Sequence, residues 1–277
     1  MTPTQAVERL VAASVRLSDA DLDRPYVWHD YDGDGLRFSL LTAHHLLRET
    51  TATCAAARLA AGEPFSEGQR ILAQVHEAYR DLSGALAGTT DADLDRDPGA
   101  GQWTLRAVLA HGLGADSAFL TAIVLALDAV RAGRLSERST KEKWESREVP
   151  VEDPSGSRGD VLNALFRSHT AILLALDTVS DAELDTPSFF WESEPYPIRF
   201  RMHRFEEHWR QHTIQLDKTL AAIGHPPTEA ERLVRNIYNA LAGLESVTSG
   251  VAVGGDLAAG CARSVVELAH QVESAAR

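Results

Sequence analysis

The stretch VLNALFRSHTAILLALDTV, residues 161–179, decides the fold class. Its apolar residues Val161, Leu162, Leu165, Phe166, Ile172, Leu173 and Leu176 recur mostly at three and four, the period that lines them along one stripe of an α-helix. That period runs through almost the whole chain, and the alternating apolar–polar runs that mark strands do not occur. It predicts eight helices, over roughly 3–17, 36–61, 67–87, 104–133, 159–178, 197–223, 228–247 and 256–275. The expected architecture is all-α, with short turns joining antiparallel helices into bundles.

Size and composition narrow the function classes. The chain has 277 residues, 44% hydrophobic and 24% charged, enough for one large domain or two smaller ones with their own cores. Net charge is −13 and no basic patch stands out, which argues against nucleic-acid binding through phosphate contacts. The two cysteines, Cys54 and Cys261, lie far apart without a CxxC, so neither a disulfide framework nor a cysteine zinc site is expected, and a reducing cytoplasm fits. MTPTQAVERLVAASVRL at the N-terminus reads as an amphipathic helix rather than a signal peptide, and no run approaches the length of a membrane span. Lysine supplies only Lys141, Lys143 and Lys218 among 27 basic residues, a bias that points to a GC-rich coding sequence.

One phrase occurs three times: SDADLD at 18–23, TDADLD at 90–95 and SDAELD at 180–185. Each follows a helix and precedes a Pro/Gly/aromatic loop that leads into the next one. The first and third copies align further at a constant offset of 162, pairing Pro25 with Pro187, Arg37 with Arg199, Phe38 with Phe200, Gly62 with Gly224 and Pro64 with Pro226. The chain therefore reads as four helix pairs, the last degenerate, grouped as two four-helix units. The one long polar stretch, SERSTKEKWESREVPVEDPSGS at 136–157, reads as a solvated loop between helices, with a lid over a site as the alternative. Trp144 gives it an apolar anchor that a plain linker does not need.

HWRQHTIQLDK, residues 208–218, carries the first chemical signal. His208 and His212 are one helical turn apart and Gln215 continues their face, with Arg204 one turn before. Divalent ions accept imidazole nitrogens at this spacing, but two ligands do not make a site. GQWTLRAVLAHGLGAD, residues 101–116, is the second. Thr104 is a good N-cap, with Trp103 and Val108 placed for a hydrophobic staple. His111 falls two turns in, on or beside the buried face, where a histidine by itself is more often a core residue than a ligand. Gly112 and Gly114 allow close approach of another helix or a ligand.

A Trp-Thr cap opening a helix with an inward histidine, followed later by His-x-x-x-His-x-x-Gln, resembles the DinB/YfiT-like superfamily. The resemblance covers about 66–225. It implies a four-helix bundle of up-down-down-up order that binds a divalent metal through three histidines, one from the second helix and two from the fourth. Carried onto this chain, the ligands are His111, His208 and His212, with zinc the expected metal and nickel or iron the alternatives. The superfamily includes mycothiol- and bacillithiol-dependent transferases, a mycothiol-dependent maleylpyruvate isomerase and metal-dependent hydrolases. Three neutral imidazoles leave coordination positions open on a divalent ion, and both hydrolysis and thiol transfer use such a position.

Around these ligands, Gln215 and Asp116 are candidates to orient them, although Asp116, at i+5 from His111, can also face away. Arg204 is placed to meet a substrate carboxylate or to pair with Glu207 on the surface. His169 interrupts the apolar stripe of 161–179 and points inward, as a core residue, a fourth ligand or a base. His203 and His225 read as surface residues. His44 and His45 do not form a second site, because the offset of 162 puts Leu46 and Thr50 where His208 and His212 stand.

The expected division is a metal-binding bundle over 66–225, with helix pairs 1–64 and 226–277 packed together as a second, metal-free bundle. A split in sequence order, or accessory pairs covering a dimer face, are the alternatives; monomer and homodimer both fit. The expected function is a metal-dependent enzyme acting on a small molecule, by thiol transfer or isomerisation with a low-molecular-weight thiol cosubstrate, or by hydrolysis. The arginine-rich, lysine-poor composition favours mycothiol. A binding or sensing module without turnover, and a helical scaffold with incidental histidines, are the competing classes.

Overall fold

A computed structural model describes residues 1–99 and 101–275. Eleven α-helices occur among the described residues: α1 (Pro3–Ser14), α2 (Asp19–Leu22), α3 (Arg37–Ala60), α4 (Glu67–Ala85), α5 (Asp91–Leu94), α6 (Leu105–Arg131), α7 (Lys141–Glu145), α8 (Arg158–Leu176), α9 (Ile198–Ala222), α10 (Glu229–Thr248) and α11 (Gly255–Ala275). The only sheet among them is a two-residue pair, β1 (Pro187–Ser188) antiparallel to β2 (Tyr196–Pro197), with Pro187 opposite Pro197. The eight long helices match the eight predicted from periodicity within about three residues at each end. The fold is all-α, as expected.

The three acidic phrases are helix starts. In the first, the Ser18 side chain accepts from the Asp21 N–H while the Asp21 carboxylate accepts from the Ser18 N–H, a closed capping box. Thr90 and Asp93 repeat it, and in the third copy the Ser180 N–H and hydroxyl both donate to Glu183. Only two of the three turns become α-helical; the third, Glu183–Asp185, is a single 3₁₀ turn.

The chain divides into two compact units, one of residues 1–64, 80–89 and 225–277, the other of 65–79 and 90–224. In the first unit α1 packs on α11 and α10 on α3, with α11 also against α3 and α1 against α10. In the second, α6 lies against α8 and α9. Its core draws Ile71 and Val75 from α4, Phe119 and Ile123 from α6, Ile172 and Leu176 from α8, and Met202 and Phe205 from α9.

The offset of 162 holds at the level of single bonds. In the first unit Arg37 bridges Asp23 and Glu229, the Glu229 N–H donates to Asp19, and the Leu36 N–H donates to the Arg24 carbonyl. In the second, Arg199 bridges Asp185 and Glu67, the Glu67 N–H donates to Asp181, and the Ile198 N–H donates to the Thr186 carbonyl. Every one of these residues maps onto its counterpart by adding or subtracting 162, including Glu67 and Glu229, which the sequence repeat did not flag.

Two expectations need correction. Helix α6 is long and apolar enough, by length and composition, to cross a membrane, and 67% of its most apolar window is buried inside the protein. Its hydrophobicity is spent on a position packed from several sides, where a helix carries apolar residues nearly all round. On α8, the buried face is Val161, Ala164, Leu165, His169, Ile172 and Leu176, whereas Phe166, expected on the stripe, projects into solvent. The apolar stripe is wider than the face the neighbouring helices cover.

The polar stretch 136–157 is a strap held against the second unit. The Ser117 hydroxyl donates to the Val149 carbonyl and the Val149 N–H donates to Thr121, so α6 grips it from both sides. Arg147 pairs with Asp128, Arg106 donates to the carbonyls of Pro154 and Gly156, and Arg138 donates to those of Phe190, Glu192 and Ser193. Trp144 stacks on Phe190 with ring centroids 5.5 Å apart.

Candidate metal centre

Helix α9 presents its ligands because its buried face is set by Met202, Phe205, Trp209 and Leu216. His208 and His212 fall on that face and are nearly inaccessible. Helix α6 starts at Thr104, whose hydroxyl accepts from the Ala107 N–H, and this fixes the phase that brings His111 round to α9. The close approach depends on Gly112. A Cβ at that position would stand 2.2 Å from Cη2 of Trp209, so only glycine lets the indole lie on the α6 backbone.

The three histidines come together. Each offers a ring nitrogen, and these atoms lie within 4.8 Å of one another. The Nε2 atoms of His208 and His212 are 3.1 Å apart, close to the edge of about 3.3 Å of a tetrahedron of nitrogen ligands at about 2.0–2.1 Å from a central ion. The His111 ring lies 5.2 Å from that of His208 and 5.0 Å from that of His212. His111 is solvent-exposed while its two partners are buried, so the cluster opens to water on the α6 side.

The donor set suits a divalent cation. Burial pushes His208 down to about 3, with His212, His111 and Arg204 adding to the effect. Burial also lowers His212, opposed by its hydrogen bond to Gln215 and reinforced by His111. Both rings are thus neutral at pH 7 and carry lone pairs. Gln215 Oε1 accepts from His212 Nδ1 at 2.9 Å, which leaves Nε2 of that ring as the unprotonated ligand atom. His208 Nδ1 is buried without a hydrogen-bond partner among the described residues, a cost that a compact imidazole cluster accepts if Nε2 gains a strong bond elsewhere.

The other expected residues fall as follows. Asp116 does not touch the histidines. Its carboxylate accepts the Trp209 indole N–H at 2.9 and 3.1 Å and the Ser168 hydroxyl at 3.3 Å. Burial pushes its carboxyl up to about 7, against the lowering effect of those two bonds. Arg204 pairs with Glu207 at 2.7 Å and lies over the Phe119 ring, 5.5 Å from its centroid. His169 is buried away from the cluster; its Nε2 bonds His76 Nδ1 at 2.7 Å and Tyr79 stacks flat upon it at 4.0 Å.

Three aromatic side chains complete the surroundings, of which only Trp103 was singled out from sequence. Trp103, placed for a staple, instead sets its ring edge-on to His111 at 5.1 Å. Phe119 packs edge-on against His208 at 5.7 Å and against Phe190 at 6.0 Å, forming an aromatic wall. Trp209, between the two ligand histidines, locks α9 to α6 through Asp116. Beside the wall, Arg201 is fully buried and bonds both carboxylate oxygens of Glu192 and the Ser188 hydroxyl, anchoring the turn that carries Phe190.

Comparison with curated proteins and with solved structures finds no match. A family model described as the DinB superfamily matches residues 74–216, which is 143 of the 277 residues and includes all three histidines. The chain belongs to the DinB superfamily.

Proposed function

We propose that this protein is a divalent-metal-dependent enzyme acting on a small molecule, by thiol transfer or isomerisation with a low-molecular-weight thiol such as mycothiol, or by hydrolysis. The observation that carries this reading is the convergence of three imidazole rings, one of them oriented by Gln215, at a point open to solvent beside His111. His111, His208 and His212 would hold the ion, zinc being the first expectation from an all-nitrogen set. A metal bound this way supplies a Lewis acid with open coordination positions. The chain supplies the rest: Gln215 holds the proton on Nδ1 of His212, and Trp209 keeps the two ligand helices in register. Phe119 and Phe190 exclude water from one flank of the site.

Elemental analysis of untagged protein tests the metal, with about one divalent ion per chain expected. Loss of that ion in His208→Ala and His212→Ala supports the assignment. A wild-type chain that binds none, with both variants melting as wild type does, refutes it. A thiol-conjugation assay with chlorodinitrobenzene and a panel of bacterial thiols then separates transferase from hydrolase.

A further inference from the structure

Arg204 lies on α9 one turn before His208, so it shares the ligand face of the helix. The guanidinium is held over Phe119, whose edge rests on His208. Such a stack pre-orients the group beside the histidines rather than leaving it to roam.

The polar commitments of Arg204 are light. Nη1 donates to Glu207, but that carboxylate is 65% exposed, and an exposed pair three residues apart on a helix is easily exchanged. Nε and Nη2 have no hydrogen-bond partner among the described residues. Those two N–H groups form one edge of the guanidinium, the edge that meets the two oxygens of a carboxylate side by side. A phosphate would call for more cations than this single arginine.

Charge argues the same way. Imidazole ligands bring no negative charge to offset a divalent ion, and Asp116, the nearby buried carboxyl, is occupied by Trp209 and Ser168. Arg204 adds a further positive charge. An anion lying between them is attracted to both, while a neutral ligand leaves two like charges facing each other.

We infer that the site takes a small molecule bearing a carboxylate, which Arg204 binds through its Nε–Nη2 edge while a second donor of the same molecule reaches the ion held by the histidines. This inference rests on the metal reading above. The 277-residue chain loaded with cobalt(II) tests it without turnover, using 3-mercaptopropionate and uncharged 2-mercaptoethanol as probes and sulfur-to-cobalt absorption as the readout. Wild type should bind the mercaptopropionate at least about tenfold more tightly, the usual scale of a charge-assisted hydrogen bond. Arg204→Gln should lose that preference and keep its affinity for mercaptoethanol, while Arg204→Lys retains part of it. Equal affinities in wild type, or a preference that survives in Arg204→Gln, overturn the carboxylate inference alone. Failure of wild type to bind cobalt overturns the metal reading and this inference with it.

Discussion

Gly112→Ala is the sharpest single perturbation of the site. The added methyl would sit 2.2, 2.6 and 2.8 Å from Cη2, Cζ3 and Cζ2 of Trp209, where carbon atoms in contact need about 3.5 Å or more. Something must move by roughly 1 Å. The indole cannot simply swing aside, because its N–H is bonded to Asp116 at 2.9 Å inside the core. Helix α9 must therefore back away from α6, taking His208 and His212, which flank Trp209, away from His111. Overpacking of this kind costs about 1–3 kcal/mol, offset by the roughly 1 kcal/mol that alanine gains over glycine in a helix. Stability of the metal-free protein should fall by up to about 2 kcal/mol. Metal affinity should fall more, by about tenfold or beyond, since misplaced ligands forfeit bonds that tolerate only tenths of an ångström. Gly114→Ala is the control. Nothing lies within 4 Å of its added Cβ, so it should gain up to about 1 kcal/mol and leave metal affinity unchanged. Urea denaturation in EDTA and zinc competition against a chromogenic chelator measure both. The reasoning is refuted if Gly112→Ala matches Gly114→Ala in both assays.

Asp116 gives a pH test of known sign. Its folded value of about 7 exceeds the unfolded carboxylate value of about 3.9, so the fold holds the proton, and this group's contribution to stability declines as pH rises between the two. The slope is at most about 1.4 kcal/mol per unit, so Asp116→Asn should gain roughly 2–3 kcal/mol relative to wild type between pH 5 and pH 8 in EDTA; parallel stability curves would sink the assignment. Arg201→Met strips a fully buried cation from its part-buried partner Glu192 and should destabilise by about 3 kcal/mol, less with Glu192→Gln in the same chain, as read by denaturant midpoints. An unchanged midpoint would show that the turn carrying Phe190 is held by other contacts.

Local features of the sequence carried far, and long-range ones did not. Helix positions follow from a periodicity written over a few turns, and the acidic phrases contain both halves of their capping boxes within four residues. His208, His212 and Gln215 lie within about two turns of α9, so their common face was legible from spacing; His111 required the family resemblance because it lies on another helix. Asp116 and Trp209 are 93 residues apart, as are His76 and His169, and neither pairing leaves a mark in either segment alone. Phe166 failed for a related reason: periodicity shows which side chains share a stripe, while tertiary packing decides how much of the stripe is covered. The strap over 136–157 looked like a linker because, apart from Trp144, its anchors are main-chain carbonyls and arginines, which carry no hydrophobic signal.

The packing of α1 on α11 and of α3 on α10 has a consequence for biosynthesis. Helix α3 ends at Ala60 and α10 begins at Glu229, so 168 residues must be translated between them. At about 5–20 residues per second that is a wait of roughly 8–34 s. Throughout it, the apolar faces of α1 and α3 emerge from the ribosome ahead of the helices that cover them, while residues 90–224 arrive in one uninterrupted run. The bundle with the histidines can close during synthesis, and the other must wait for the last helices, which makes the nascent N-terminal pair the segment of this chain most in need of a chaperone.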